Sequence, residues 1–154
     1  NQAKLIGNVP GDALVMLNNS TLNVTGSLFN VAGGSYLNVT GNLLSLANGS
    51  ALTITNGALV ALSGGSVFTL TNGSFGVFSG TSSTITLPTS LSGYTVNTTV
   101  IPGYGVALGT GVSPTQVTVT NFTPFGSGGA VTAGGIVLKI ADNASKVRLC
   151  TSGC

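Results

Sequence analysis

An uncharged repeat of 15–16 residues constrains this chain more than any other feature. Four copies run in line: STLNVTGSLFNVAGG from Ser20, SYLNVTGNLLSLANG from Ser35, SALTITNGALVALSGG from Ser50 and SVFTLTNGSFGVFSGT from Ser66. A degenerate fifth, SSTITLPTSLSG, starts at Ser82. A unit this short cannot bury its own apolar face, so it must stack on its neighbours.

Each unit holds two short strands. In the first, Leu22/Val24, Leu37/Val39, Leu52/Ile54 and Phe68/Leu70 alternate with polar residues, and Ile85/Leu87 continue the series. A period of two puts them on one side of a strand. In the second, Leu28/Val31, Leu43/Leu46, Leu59/Leu62 and Phe75/Phe78 are three apart, which requires a bend. Gly26, Gly41, Asn56-Gly57 and Asn72-Gly73 mark one corner, and Gly33-Gly34, Asn48-Gly49, Gly64-Gly65 and Gly80 the other. Glycine and asparagine tolerate the positive φ of tight corners. The pattern predicts an all-β chain, a β-solenoid of 15–16-residue rungs with a less regular β region after it. A β-sandwich of hairpins accommodates the same strand spacing; the regularity of the units favours the solenoid.

The organisation read from this is an N-terminal segment or cap over 1–17, solenoid repeats over 18–92, and an irregular β region over 93–154 that caps the rod or serves assembly. Strand candidates in the last part are Tyr94–Ile101, Gln116–Phe122, Ala130–Ala141 and Lys146–Cys150.

Charge is nearly absent. The chain has four basic and two acidic side chains, and none lies between Ala13 and Leu138. Stacking in register sets equivalent residues over one another, where like charges repel but Asn, Ser and Thr bond along the column. A net charge of +2 is too small for a nucleic-acid partner, and no apolar run is long enough for a membrane-spanning helix. The chain lacks His and Glu, and its two Asp lie near opposite ends, so acid–base catalysis and a histidine-assisted serine nucleophile have no residues to use. Ser113 and Ser127 read as loop serines, no cofactor is expected, and the chain reads as non-enzymatic. Cys150 and Cys154, with three residues between them, are disulfide candidates within the chain or between subunits, which implies an oxidising compartment. Asn23, Asn38, Asn48, Asn72, Asn97, Asn121 and Asn143 stand in N-x-[ST] sequons open to glycosylation in a secreted protein, as do Asn18 and Asn19.

The G-S-x-L-x-V-T-G-x-L pattern over Asn18–Gly93 resembles repeats of secreted bacterial β-solenoid adhesins and fibres, of the filamentous-haemagglutinin or autotransporter-passenger kind. That resemblance implies an extracellular or cell-surface structural or adhesive role. The expectation is a rod that assembles with copies of itself head to tail, or meets glycans or a cell surface. Ala130, Val131, Ile136, Val137, Leu138 and Ile140, in a strongly apolar stretch, are the candidate assembly strand. Tyr36, Tyr94 and Tyr104 are candidate sugar platforms. An alternative uses the outward columns Asn23, Asn38, Thr53, Thr69, Thr84 and Thr25, Thr40, Thr55, Thr71, Thr86. Such a T-x-T array resembles the ice-binding face of insect-type antifreeze proteins.

Overall fold

The computed structural model describes residues 4–151, with the backbone alone for residues 4 and 6–12. It is an all-β solenoid of about four turns. Strands β1 (Lys4–Asn18), β2 (Thr21–Thr25) and β3 (Phe29–Val31) form the first turn. The second holds β4 (Tyr36–Ala47), β5 (Ala51–Thr55) and β6 (Val60–Leu62). A third begins with β7 (Val67–Thr71), β8 (Gly76–Ser79) and β9 (Thr84–Thr86). There follow β10 (Thr95–Asn97), β11 (Gly105–Leu108), a 3-10 turn at Pro114–Gln116, β12 (Val117–Thr120), β13 (Ala130–Val131), β14 (Ile136–Ile140) and β15 (Lys146–Cys150). β1, nearly all of which falls in the N-terminal segment or cap expected over 1–17, joins the stack and pairs with β4, with a register shift between Val9 and Ala13.

Three faces enclose the core. The front face runs β1-β4-β7-β15-β12, with β8 beside the second half of β4. A side face runs β2-β5-β9-β13 and a back face β3-β6-β14-β11-β10. The pairs are parallel, as a coiled chain demands, except the antiparallel end strand β10. Leu22, Leu52 and Ile85 stack in one inward column, and Leu37, Phe68, Val147 and Val117 in another. Both belong to a single apolar core.

A turn contains two sequence units, not one. Ser20 bonds to Ser50, 30 residues on; Ser35 to Ser66, 31 on; and Ser50 to Ser83, 33 on. The physical reason is packing: one unit's apolar stripe faces the next unit's across the core, so two units are needed to enclose it. The fifth copy is in register from Ser83 rather than Ser82, because Ser83 accepts the Ser50 N–H at 2.9 Å. The serine that opens each unit thereby has a defined task. Its hydroxyl accepts an N–H from the serine of the preceding turn and, at Ser50 and Ser66, donates to the carbonyls of Ala47 and Ser63 at 2.7 Å. Ser50, Ser66, Ser83 and Ser145 are buried in these ladders, and no buried side-chain N or O atom among the described residues lacks a partner.

Corners set where glycine is obligatory. Asn48, Asn56 and Asn72 take φ near +58° (58, 57 and 58), the left-handed region that asparagine tolerates. A Cβ on Gly73 would overlap the Gly41 carbonyl, and one on Gly57 the Gly26 carbonyl. Corner backbone lies directly on corner backbone there, leaving no room for a methyl group.

The last part of the chain is not stacked in sequence order. After β9 the chain leaves the stack and lays down β11 and β12 one level beyond the next free position. It then returns. Phe125 bridges Gly76 beside β8, β13 pairs with β9, and β14 fills the gap between β6 and β11. Finally β15 enters between β7 and β12. The expected strand Ala130–Ala141 is thus broken by a turn in which Gly135 N–H bonds Thr132 O at 3.0 Å and Gly134 has φ +70°. β11, spelled Gly105–Leu108, is a strand the sequence pattern does not announce.

Gly73→Ala is expected to destabilise the protein by about 2 kcal/mol or more, since the backbone must move. Gly93→Ala, at a position that has positive φ, unlike Gly73, but open space around the Cβ, costs about 1 kcal/mol. Denaturant unfolding of the two variants side by side checks the order.

Candidate functional site

The candidate assembly strand is an interior one. Ile136, Val137, Leu138 and Ile140 are fully buried, and β14 is paired on both sides. It has no free edge to offer another chain, which corrects the sequence expectation. Ala130 and Val131 do lie in the outermost strand of the side face, paired only with β9.

The threonine array is split. Odd units put Asn23, Thr53 and Thr86 in one register row of the side face, Thr25 and Thr55 in another, and Thr84 beside Ala51 and Thr21. Even units put Asn38 and Thr69, then Thr40 and Thr71, on the front face. There the rows continue through Arg148 to Thr118 and through Cys150 to Thr120. A guanidinium and a cysteine thus interrupt what the sequence suggests as one flat surface. The cause is the two-unit turn, which sends alternate units to different faces.

Charges are kept apart. Lys139 lies between Ala61 and Ala107, Lys146 beside Val67, and Arg148 between Thr69 and Thr118. Lys139 Nζ sits 5.0 Å from the Tyr94 ring centroid, a cation–π contact that covers the back face. Tyr104 packs 4.9 Å from Phe125, centroid to centroid, and burial pushes its hydroxyl pKa up. Only Tyr36 among the three tyrosines is exposed, on the front face.

Several sequon asparagines are corner fasteners. Asn48 Nδ2 donates to Asn18 Oδ1 at 2.7 Å. Asn97 Oδ1 accepts from Thr99 and Val100 N–H. Asn143 Oδ1 accepts from Ser113 N–H, while its Nδ2 donates to Gly111 O at 2.7 Å. Asn72 and Asn121 sit exposed at corners with positive φ, and Asn23 is exposed on β2. Cys150 is buried and disulfide-bonded; Cys154, the chain's other cysteine, lies outside the described residues.

Asp142 ties the returning chain to the second turn. Its Oδ1 accepts from Ala144 and Ser145 N–H, and its Oδ2 from Gly64 N–H at 2.6 Å. Burial pushes its carboxyl up, but hydrogen bonds from the Ser145 hydroxyl and from the Ser145, Gly64 and Gly65 N–H groups together outweigh that and hold it below the usual carboxylate value. A depressed folded value stabilises the fold above the unfolded carboxylate range, about pH 4, and the contribution is lost as pH falls through the folded value. The melting-temperature gap between wild type and Asp142→Asn is therefore expected to be widest near neutral pH and to close below about pH 4. A thermal-denaturation series in pH measures it; a gap that stays constant contradicts this role.

Among the described residues no group of three or more His, Cys, Asp or Glu could hold a metal ion, and no helix is long and apolar enough to cross a membrane. No protein-family model, curated protein or solved structure matches the chain.

Proposed function

We propose that the protein is a structural rod element of an extracellular fibre or adhesin, joined to a second copy head to tail by rung stacking. The observation that carries this reading is the state of the first turn. Leu22, Val24, Leu28 and Phe29 point into the core but remain half-buried, whereas Leu52, Ile54, Leu59 and Val60, their counterparts one turn on, are 0–2% exposed. Another rung set on that end would bury them, each fully buried apolar side chain contributing about 1.5–3 kcal/mol.

The two ends are suited to meet. β1 and β2 each have one unpaired side among the described residues, and so do β12 and β13 at the other end. All four are in parallel ladders, so β12 and β13 of one copy can continue onto β1 and β2 of the next in the same sense. Such a contact does not close on itself and yields a filament. The back face is closed by antiparallel β10, so the joint uses the front and side faces. The disulfide at Cys150 supports an oxidising, extracellular setting.

Ser20 O and Gly26 N–H bond the second turn, so by alternation the Asn23 N–H points to the open edge. Asn23→Pro removes that donor and blunts the edge without breaking an internal bond. Wild type is expected to associate with rising concentration in sedimentation velocity and to give filaments in negative-stain micrographs, with Asn23→Pro at least tenfold weaker, about 1.4 kcal/mol. A wild type that stays monomeric at every concentration overturns the reading.

A further inference from the structure

Arg148 points outward from the middle of β15, level with Thr69 on β7 and Thr118 on β12. Alternation along the strand places Lys146 and Cys150 on the same side. Thr69, Thr71, Thr118, Thr120, Arg148 and Cys150 line a groove of about 360 Å³ there, open along one side. Among the described residues nothing acidic lines it. Asp142, the acidic residue whose side chain is described, commits one oxygen to N–H groups of its own corner and the other to Gly64 N–H. The groove therefore holds the positive charge of Arg148, with Lys146 on the same side of β15, flanked on both sides by hydroxyl groups.

We propose that this groove binds an acidic saccharide through a carboxylate on its sugar ring. A guanidinium presents a planar fork that matches the two oxygens of a carboxylate, and the pair is stronger than a neutral hydrogen bond. A threonine hydroxyl both donates and accepts, so Thr69, Thr71, Thr118 and Thr120 can bond the ring hydroxyls on either side of that carboxylate. The chemistry selects the ligand. An apolar molecule finds no enclosed apolar pocket, a cation is repelled, and a neutral sugar leaves the guanidinium unmatched. Rungs about 4.8 Å apart repeat the hydroxyl rows on the scale of a sugar ring. The groove forms only once β15 has entered between its flanks β7 and β12, both of which precede it in the chain. The inference stands independently of rung stacking.

Titration of trigalacturonate into isotopically labelled protein, followed by amide chemical shifts, tests it. The expected result is saturable shifts centred on Thr69, Thr71, Thr118, Thr120 and Arg148, with Kd on the order of millimolar. Arg148→Gln weakens binding about tenfold or more, and Arg148→Lys by less, since an ammonium keeps the charge but not the fork. Arg148 is exposed, so its variants keep the wild-type melting curve; Thr118→Val, which removes one hydroxyl and no charge, is a second variant expected to weaken binding. Neutral trigalactose gives no saturable shift. The proposal is overturned by absent or unsaturable shifts with trigalacturonate, by equal binding to Arg148→Gln, or by shifts spread over both faces. Tighter binding of a sulfated disaccharide than of trigalacturonate overturns the carboxylate assignment.

Discussion

Backbone hydrogen bonds that run along the rod axis are the constraint on which the rest of this molecule depends. In a stack of parallel rungs, most strand N–H and C=O groups must find partners in the turn before or after, because leaving one buried and unpaired is costly. Equivalent residues then stand over one another with little freedom to choose neighbours. The serine columns Ser20–Ser50–Ser83 and Ser35–Ser66–Ser145 use that arrangement: the hydroxyls of Ser50, Ser66, Ser83 and Ser145 each take up an N–H at a corner where the ladder pauses. The sparse charge has the same origin. Where Lys139, Lys146 and Arg148 do enter the stack, their strand neighbours are Ala, Val or Thr.

Much of this is legible in the residues, up to one level. The alternation Leu52/Ile54 and Phe68/Leu70 specifies inward strand positions, and those side chains are buried. The Asn-Gly corners are placed by the same logic, with Asn56 and Asn72 at positive φ. What local pattern does not reveal is how many units make a turn. The signal is present but faint: Gly33-Gly34 and Gly64-Gly65 are Gly-Gly corners, while Asn48-Gly49 stands between them. Corners of one kind thus recur at every second unit. Reading them as alternating types, rather than as one loose class, would have given the longer period and split the threonine array between two faces.

The C-terminal region resists sequence reading for a different reason. Ser66 pairs with Ser145, 79 residues away, and no periodicity connects them. Ile136–Ile140 looks like an adhesive strand because it is apolar but for Lys139, and a strand buried on both sides has nearly the same composition as an exposed sticky edge. Only the three-dimensional order separates the two. Arg148 is equally unremarkable in sequence. Its setting between Thr69 and Thr118 arises from two register relations that neither residue encodes locally.

The late entry of β14 and β15 bears on how the molecule comes into being. A solenoid with sequential rungs can zip up from one end while it is still being made. This one cannot be completed that way, because the interior strands β14 and β15 follow in the chain the strands β11 and β12 that lie outside them. Until Ile136–Cys150 arrives, β6 and β11 have no neighbour between them, nor do β7 and β12. The C-terminal segment acts as a keystone whose arrival locks distant parts together, at the slow rate expected for contacts of long sequence separation. A stack of this design therefore closes from its middle outward: the strands that join its two halves are supplied after the strands they lie between.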